Sequence, residues 1–209
     1  MELALKLASI FFTMILVDNY VLAKFLGICP SLGVSKKLDS AVGMSLAVTF
    51  VMVMATAATW PIYTYILSPE WAEGTSRDLG YLQTIVFILI IAILVQLLEN
   101  VLKKFIPALY KALGVYLPLI TTNCTILGVT ILNIDNGYDF AESIVCAAGA
   151  GIGFLVAMVL FAGVRRRVEE AVTPKCFEGL PITLVAAAVT SLSFMGFGGI
   201  VENLFNVTL

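Results

Sequence analysis

Two cysteines stand in related apolar contexts and are the residues of this chain best suited to chemistry. Cys29 opens the sequence Cys-Pro-Ser-Leu-Gly-Val, and Cys124 opens the sequence Cys-Thr-Ile-Leu-Gly-Val. A thiolate binds iron or zinc, and two related thiolates make half of the four-thiolate set that holds an iron–sulfur cluster or a structural zinc ion. The chain has no histidine, so thiolates and a few carboxylates are its candidate metal ligands. The repeated motif predicts a metal site.

The other ligands of such a site must come from further cysteines or from a second chain. Cys146 and Cys176 do not repeat in the other half of the sequence, and a cysteine in an apolar helix is usually a small packing residue. A second subunit that carries the same paired motif is the more economical source. Two other interpretations stay open for Cys29 and Cys124, which are simple packing and a disulfide between them.

The composition indicates that the elements around these cysteines lie in a membrane. Hydrophobic residues make up 60% of the 209 residues, charged residues make up 12%, and the mean hydropathy is +1.03. These values are far from those of soluble domains. Six apolar runs are long enough to cross the hydrocarbon core: Leu3–Phe25, Val42–Leu67, Leu82–Leu98, Leu113–Leu132, Ile144–Val164 and Leu180–Phe205. The first run has no signal-peptide cleavage pattern and continues into the Cys29 motif, so it is interpreted as a span.

Lysine and arginine are concentrated in alternate connections between these runs, and this distribution predicts the orientation. Cytoplasmic loops of membrane proteins keep positive charge. The first, third and fifth connections contain most of the basic residues: Lys36, Lys37, Lys103, Lys104, Lys111, Arg165, Arg166, Arg167 and Lys175. The connection at 68–80 has only Arg77, and residues 133–142 have no basic residue. The pattern predicts three basic loops in the cytoplasm and both termini outside.

The chain divides into two halves with three runs each. A division near Phe105 gives repeats of about 1–105 and 106–209 within a single membrane domain. Because three is odd, the second half starts from the opposite membrane face, and homologous halves are then inverted. Glu99-Asn100 closes the third run and Glu202-Asn203 closes the sixth, which supports the division.

The expected fold is an all-α integral membrane protein with six transmembrane helices in two inverted three-helix repeats. Pro30 removes a backbone donor after Cys29, and glycines loosen both motifs, so broken helices are expected there. Inverted repeats often build a site at the membrane midplane from such discontinuous helices. Cys29 and Cys124 are therefore expected to approach each other about a pseudo-twofold axis.

Several polar residues interrupt or border the apolar runs. Asp18, Asn19 and Lys24 lie in the first run, where ionisable groups are costly and raise the question of a function; pairing of Asp18 with Lys24 is the simpler interpretation. Glu99 and Glu202 lie at run ends, where a solvated carboxylate is the default and an ion path is the alternative.

Three glycines in the fifth run are spaced two residues apart. Gly149, Gly151 and Gly153 resemble a phosphate-binding loop only superficially, because they lie inside an apolar run. Small residues in membrane helices usually allow close helix packing. Packing is the function predicted for all three.

Three stretches resemble the family of membrane proteins shared by Rnf ion-translocating oxidoreductases and sodium-translocating NADH:quinone reductases. They are Phe-Leu-Gly-Ile-Cys-Pro-Ser-Leu-Gly-Val-Ser-Lys-Lys-Leu at 25–38, Leu-Pro-Leu-Ile-Thr-Thr-Asn-Cys at 117–124 and Ser-Phe-Met-Gly-Phe-Gly-Gly at 193–199. The likeness covers nearly the whole chain, and the residues around Cys29 are closer to the Rnf branch of the family than to the quinone-reductase branch. The long acidic connection at 68–80 departs from the commonest family pattern.

The resemblance implies a specific function. A family member pairs with a homologous protein of opposite topology, here RnfE, and the four motif cysteines of the pair hold a [2Fe–2S] cluster in the membrane. Cys29 and Cys124 would each donate one thiolate. The Rnf complex, in the bacterial cytoplasmic (inner) membrane, would include the further subunits B, C, D and G, with flavins and further iron–sulfur clusters on partner subunits. It would pass electrons between ferredoxin and NAD and couple this to sodium ion or proton transport.

Three other functions remain open at the level of sequence. A secondary transporter with broken helices also has an inverted repeat, and its cysteines would only pack. The equivalent subunit of a sodium-translocating NADH:quinone reductase shares the double cysteine motif. A purely structural assembly subunit would tolerate substitution of either cysteine.

Overall fold

The computed structural model describes residues 2–29, 38–67, 80–105, 120–169 and 179–196. The helices in chain order are α1 (Glu2–Leu16), α2 (Leu38–Ile62), α3 (Gly80–Phe105), α4 (Cys124–Asp135), α5 (Phe140–Glu169) and α6 (Leu180–Met195). A π-helical segment, Tyr63–Leu67, follows α2, two residues after Pro61, which cannot donate a backbone hydrogen bond. The described residues contain no strand, so the all-α class is confirmed for them.

Three helices are long and apolar enough to cross a membrane. The candidate spans are Ala41–Tyr65, which continues from α2 into the π-helical segment, Gln83–Asn100 in α3 and Phe140–Val168 in α5. They confirm the second, third and fifth predicted runs. The apolar helices α1, α4 and α6 are shorter, with 15, 12 and 16 residues, and the predicted runs that contain α4 and α6 extend outside the described residues.

The outward faces of α3 and α6 are apolar, as surfaces against lipid are. Large exposed hydrophobic side chains form both faces: Ile85, Ile88, Leu89, Ile93 and Leu97 in α3, and Leu184, Val185, Val189 and Leu192 in α6. Large contiguous apolar patches are unusual on the surface of soluble monomers. The surface therefore agrees with the membrane environment that the composition predicts.

The first predicted run is interrupted and is not one helix up to Phe25. α1 ends at Leu16, the chain turns through residues 17–27, and helical structure resumes at 28–29. Asn19 holds the turn, because its side-chain oxygen accepts a hydrogen bond from the Val21 N–H at 3.1 Å and its amide donates to the Gly153 carbonyl at 2.8 Å. Such local side-chain bonds compete with helix formation. The break expected at Pro30 in the first cysteine motif lies outside the described residues, and the break at residues 17–27 comes earlier in the chain than the one predicted.

α4 begins at the second motif cysteine, Cys124. Asn123 precedes it in an extended conformation (φ −73°, ψ 112°), and its side-chain oxygen accepts a hydrogen bond from the Thr125 N–H at 3.0 Å. This is N-capping, which satisfies one of the free donors at a helix start. The fourth predicted run is thus interrupted immediately before the cysteine, as expected for a broken helix.

Contacts at two positions along α5 show that α2 is antiparallel to it. Trp60, near the end of α2, donates from Nε1 to the Tyr138 carbonyl at 3.0 Å, just before α5 begins. Thr49, eleven residues earlier in α2, packs against Gly151, eleven residues into α5. The two helices therefore run side by side in opposite directions.

α1 is parallel to α5. Lys6 Nζ, near the start of α1, forms an ion pair with Glu142 Oε1 at 2.6 Å, in the first turn of α5. Near the end of α1, the Met14 carbonyl lies 2.9 Å from the position a Cβ would take at Gly153. These directions agree with the first, second and fifth crossings of an alternating bundle.

Gly149, Gly151 and Gly153 of α5 serve close packing, as predicted. A Cβ at Gly149 would lie 3.1 Å from the Phe11 carbonyl oxygen, and Gly153 meets α1 one turn further on. Gly151 faces α2 instead. The small residues let α5 contact two neighbours at backbone distance.

α5 is longer than the fifth predicted run. The sequence placed Arg165, Arg166 and Arg167 in a connection, but all three are helical and α5 continues to Glu169. Arg165 is 8% exposed. Arginine is a good helix former, and cations near a helix C-terminus interact favourably with its partial negative charge.

Candidate metal centre at the cysteine motifs

The segment just before Cys29 contacts Cys124 through residues that are 97 positions apart in the chain. The Gly27 N–H donates a hydrogen bond to Cys124 Sγ at 2.9 Å. Leu26 packs against Gly128, where an added Cβ would come within 2.6 Å of Leu26 Cδ1. The segment that leads into Cys29 therefore contacts the helix that starts at Cys124, whereas the approach of Cys29 itself to Cys124 stays a prediction.

Gly27 is the residue that makes this contact possible. Its φ of +86° lies in the left-handed region that favours glycine. A Cβ at this position would collide with Thr125 Oγ1 and lie 3.0 Å from Phe154 Cε2. A larger residue could not bring its backbone N–H to the Cys124 sulfur without moving α4 or α5.

The contact between Gly27 and Cys124 lies beside the middle of α5, which is long enough to cross the membrane. Phe154, which packs on Gly27, is 14 residues from Phe140 and 15 from Glu169, the two ends of the 30-residue helix α5. The contact between Gly27 and Cys124 is thus beside the middle of this helix. Sites formed by broken helices characteristically occupy such a position.

Polar groups without partners surround the Cys124 backbone. Asn123 and Thr125 are 3% and 0% exposed, and Asn123 Nδ2 and Thr125 Oγ1 have no hydrogen-bond partner in the described part of the chain. Buried polar atoms are rarely left unpaired. The N-terminus of α4 adds partial positive charge at the same place. This set of donors suits a negatively charged metal–thiolate group.

The described cysteines differ in accessibility. Cys29 is exposed, Cys124 is partly exposed, and both are free, so the disulfide considered from the sequence is not formed. Cys146 is fully buried, with its Sγ 4.0 Å from the Tyr20 hydroxyl. The packing interpretation is confirmed for Cys146, whereas Cys176 lies outside the described residues.

The described part of this chain does not contain a complete metal site. No three Cys, His, Asp or Glu side chains in residues 2–29, 38–67, 80–105, 120–169 and 179–196 come together in a group that could hold a metal ion. A four-thiolate site that uses Cys29 and Cys124 therefore needs ligands from elsewhere.

Asp18 and Lys24, both in the first predicted run, form an ion pair. Lys24 Nζ lies 2.9 Å from Asp18 Oδ2 and 4.9 Å above the centre of the Tyr20 ring. The predicted pairing of Asp18 with Lys24 is thus confirmed. Glu99 accepts a hydrogen bond from Gln96 Nε2 at 3.3 Å near the end of α3, and its predicted counterpart Glu202 lies outside the described residues.

Sequence reasoning missed two features of this region. Asn123 directly before an apolar helical run is a typical N-cap signal and could have been recognised. The ion pair of Lys6 with Glu142 joins residues 136 positions apart and has no local sequence signal; Glu142 was assigned only to an acidic connection. Its carboxylate side chain is 8% exposed and also accepts a hydrogen bond from the Asp139 N–H at 3.4 Å.

Comparison with known proteins identifies the family to which this arrangement belongs. The sequence pattern described as Rnf-Nqr subunit, membrane protein, matches residues 7–201. The chain belongs to the Rnf-Nqr family. Its membership in a membrane-protein family agrees with the three helices that are able to span a membrane.

Similar Rnf-Nqr proteins are the A subunits of a redox complex. The chain is 54% identical over 195 residues to the one from the Na(+)-translocating ferredoxin:NAD(+) oxidoreductase complex of Acetobacterium woodii, and the match covers 93% of this chain and 98% of that protein. It is 52% identical over 188 residues to the one from the ion-translocating oxidoreductase complex of Serratia proteamaculans, covering 90% and 94%. It is 51% identical over 187 residues to the protein of the same name from Syntrophotalea carbinolica, covering 90% and 93%. The family resemblance found in the motifs is confirmed.

Proposed function

We propose that this chain is the RnfA component of an ion-translocating ferredoxin:NAD oxidoreductase and that it relays electrons within the membrane. Identity above 50% to three such relatives over at least 90% of the chain supports this assignment. The observation that carries the electron-relay role is the hydrogen bond from the Gly27 N–H to Cys124 Sγ, because it holds the segment two residues before Cys29 against the second motif cysteine. The chain works only as part of the complex and is not active alone.

In this proposal Cys29 and Cys124 are the two ligands that the chain contributes to a [2Fe–2S] cluster, and the homologous RnfE contributes the other two. The residues fit this role. Cys29 is exposed and therefore open to a partner chain, and Cys124 begins a helix beside unpaired buried donors. When bound, the cluster would supply a one-electron carrier.

The chain's own residues position and insulate this site. Gly27 orients the Cys124 sulfur through its backbone N–H, and Asn123 caps the helix that carries it. Phe154 covers the α5 side of the contact and excludes water there. A change of charge in such a low-dielectric setting is costly unless a counter-charge moves. This cost gives a physical reason for coupling electron transfer to the transport of sodium ions or protons.

The wider architecture belongs to the same proposal. Residues 1–105 and 106–209 form inverted repeats with six spans in total, and both termini lie outside a bacterial inner membrane. Subunits B, C, D and G complete the complex and carry flavins and further iron–sulfur clusters. The parallel α1 and α5, with α2 antiparallel between them in the chain order, support this alternation.

The test uses the intact complex, purified in native form and as the variants Cys29→Ser, Cys124→Ser and Cys146→Ser. Iron content and low-temperature EPR of the dithionite-reduced complex are measured. We expect Cys29→Ser and Cys124→Ser each to lose the same [2Fe–2S] signal and its iron. Cys146→Ser is the matched control, because its thiol is buried against Tyr20, and it should retain both.

Two outcomes would overturn the proposal. An assembled complex that keeps every reduced signal and all its iron in both motif variants shows that Cys29 and Cys124 bind no cluster. A native complex without any signal that depends on these cysteines leads to the same conclusion. The protein composition on a gel separates either result from loss of assembly.

A further inference from the structure

The hydroxyl of Thr125 is the least explained polar group near the paired motifs. Thr125 is fully buried, and its Oγ1 has no hydrogen-bond partner in the described part of the chain. Leaving a buried donor unpaired costs free energy. A ligand that accepts this hydrogen bond would remove the cost.

Several other threonine hydroxyls in the described helices are satisfied by the helix itself. Thr49, Thr59 and Thr190 donate to the carbonyl four residues earlier, and Thr130 in α4 donates to the Leu127 carbonyl at 2.9 Å. Thr56 Oγ1 in α2 is buried without a partner in the described part of the chain, as Thr125 Oγ1 is, but only Thr125 of these two adjoins a motif cysteine in the sequence. Thr125 is the second residue of α4, so the residues three and four positions before it are not part of this helix. Its hydroxyl therefore stays available for a group outside the helix.

The hydroxyl shares one neighbour with the Cys124 sulfur. Gly27 donates its N–H to Cys124 Sγ, and Thr125 Oγ1 lies against the open side of the same glycine, where a Cβ would collide with it. The Asn123 side-chain oxygen, also next to Gly27, is already bonded to the Thr125 N–H. The sulfur and the unpaired hydroxyl thus both lie next to Gly27.

We propose that Thr125 is a positioning residue that donates a hydrogen bond to the metal–sulfur group carried by Cys124 and, with the Gly27 N–H, raises its reduction potential. This inference rests on the function proposed above. Uptake of one electron from a reduced ferredoxin-type donor adds negative charge to the sulfurs. Hydrogen bonds to those sulfurs stabilise the added charge and shift the potential upward.

The experiment is an EPR-monitored redox titration of the intact complex, following the signal that depends on Cys124. Thr125→Val and Thr125→Ala remove the hydroxyl, and Thr125→Ser keeps it. Thr130→Val is the matched control, because Thr130 is equally buried in α4 and bonds only to its own helix. We expect a lower midpoint potential in the Val and Ala variants, and native values in the Ser variant and the control.

Each other outcome has a defined meaning. A native potential in Thr125→Val with full iron content overturns the inference, although the Cys124-dependent signal would still support the proposed function. Loss of the signal from Val and Ala but not Ser, in an assembled complex, supports a hydroxyl contact to the cluster. Loss from all three variants, or an equal shift in Thr130→Val, overturns it because packing alone then explains the effect.

Discussion

Gly27 is the residue through which the two halves of the candidate site touch. Its backbone adopts φ +86°, its N–H reaches the Cys124 sulfur, and its missing side chain leaves room for Thr125. Any other L-residue pays about 1–2 kcal/mol for this left-handed conformation, and here it also meets two neighbouring side chains. Position 27 therefore requires glycine for both a conformational and a steric reason.

Gly27→Ala should reduce both the thermal stability of the complex and its iron content. The added methyl group collides with Thr125 Oγ1, so Gly27 and Cys124 must separate. Gly43→Ala is the control, because a Cβ at Gly43 in α2 meets no atom within 4 Å. The melting temperature and the amplitude of the Cys124-dependent EPR signal are measured. Equal values for Gly27→Ala and the native complex would show that the contact is dispensable.

The sequence pattern selects the candidate cysteines of this site, but it does not predict their surroundings. Repetition of the motif in an unusual context was enough to select Cys29 and Cys124 over Cys146. Gly27 has a positive φ, and the Thr125 hydroxyl has no hydrogen-bond partner in the described part of the chain. Both features belong to a contact between distant segments. Such tertiary contacts leave no periodic signal in a single sequence.

At the scale of elements, the helix break next to Cys124 was predictable, whereas the ends of α1 and α5 were not. Hydrophobicity continues through residues 17–25, so the first run appeared to extend to Phe25, although Asn19 bonds its own turn and α5 instead. At the other extreme, α5 continues through Arg165, because charged residues can extend a helix beyond its apolar part. Composition locates the membrane-crossing segment, whereas side-chain hydrogen bonds and propensity decide where a helix stops.

The packing of α2 on α5 gives a prediction at this scale. Gly151→Ala places a Cβ within 2.8 Å of both Cβ and Oγ1 of Thr49, so we expect a loss of about 1–3 kcal/mol from overpacking. Gly163→Ala in the same helix meets no atom within 4 Å and should be neutral or stabilising by up to about 1 kcal/mol. Thermal unfolding of the purified complex compares the two variants.

A double variant separates steric overlap from loss of helix flexibility. Thr49→Ser removes the Thr49 methyl group that lies against Gly151. If overlap is the cause, Gly151→Ala combined with Thr49→Ser recovers part of the lost melting temperature. No recovery, together with equal destabilisation by Gly163→Ala, would contradict the packing explanation.

At the scale of the whole molecule, helix directions connect the contacts to the charge distribution. The Tyr63 and Phe87 rings lie 6.4 Å apart, and Phe50 lines the same apolar groove as Leu97, so α3 is antiparallel to α2. α5 is also antiparallel to α2. The basic ends of α3 and α5 therefore lie on one side of the bundle, whereas the turn between α4 and α5 lies on the other.

This arrangement predicts which positions a membrane-impermeant maleimide reaches in sealed vesicles. Lys104→Cys and Arg166→Cys, both exposed at basic helix ends, should be labelled from the same side, and Asn136→Cys from the opposite side. Because cytoplasmic segments keep positive charge, the first two should react only in inside-out vesicles and Asn136→Cys only in right-side-out vesicles. The native complex gives the background from its own cysteines, and detergent-opened vesicles give full labelling. Labelling of Lys104→Cys and Arg166→Cys from different sides would contradict the helix directions. If all three variants were instead labelled from the sides opposite to those predicted, only the orientation inferred from charge would be contradicted.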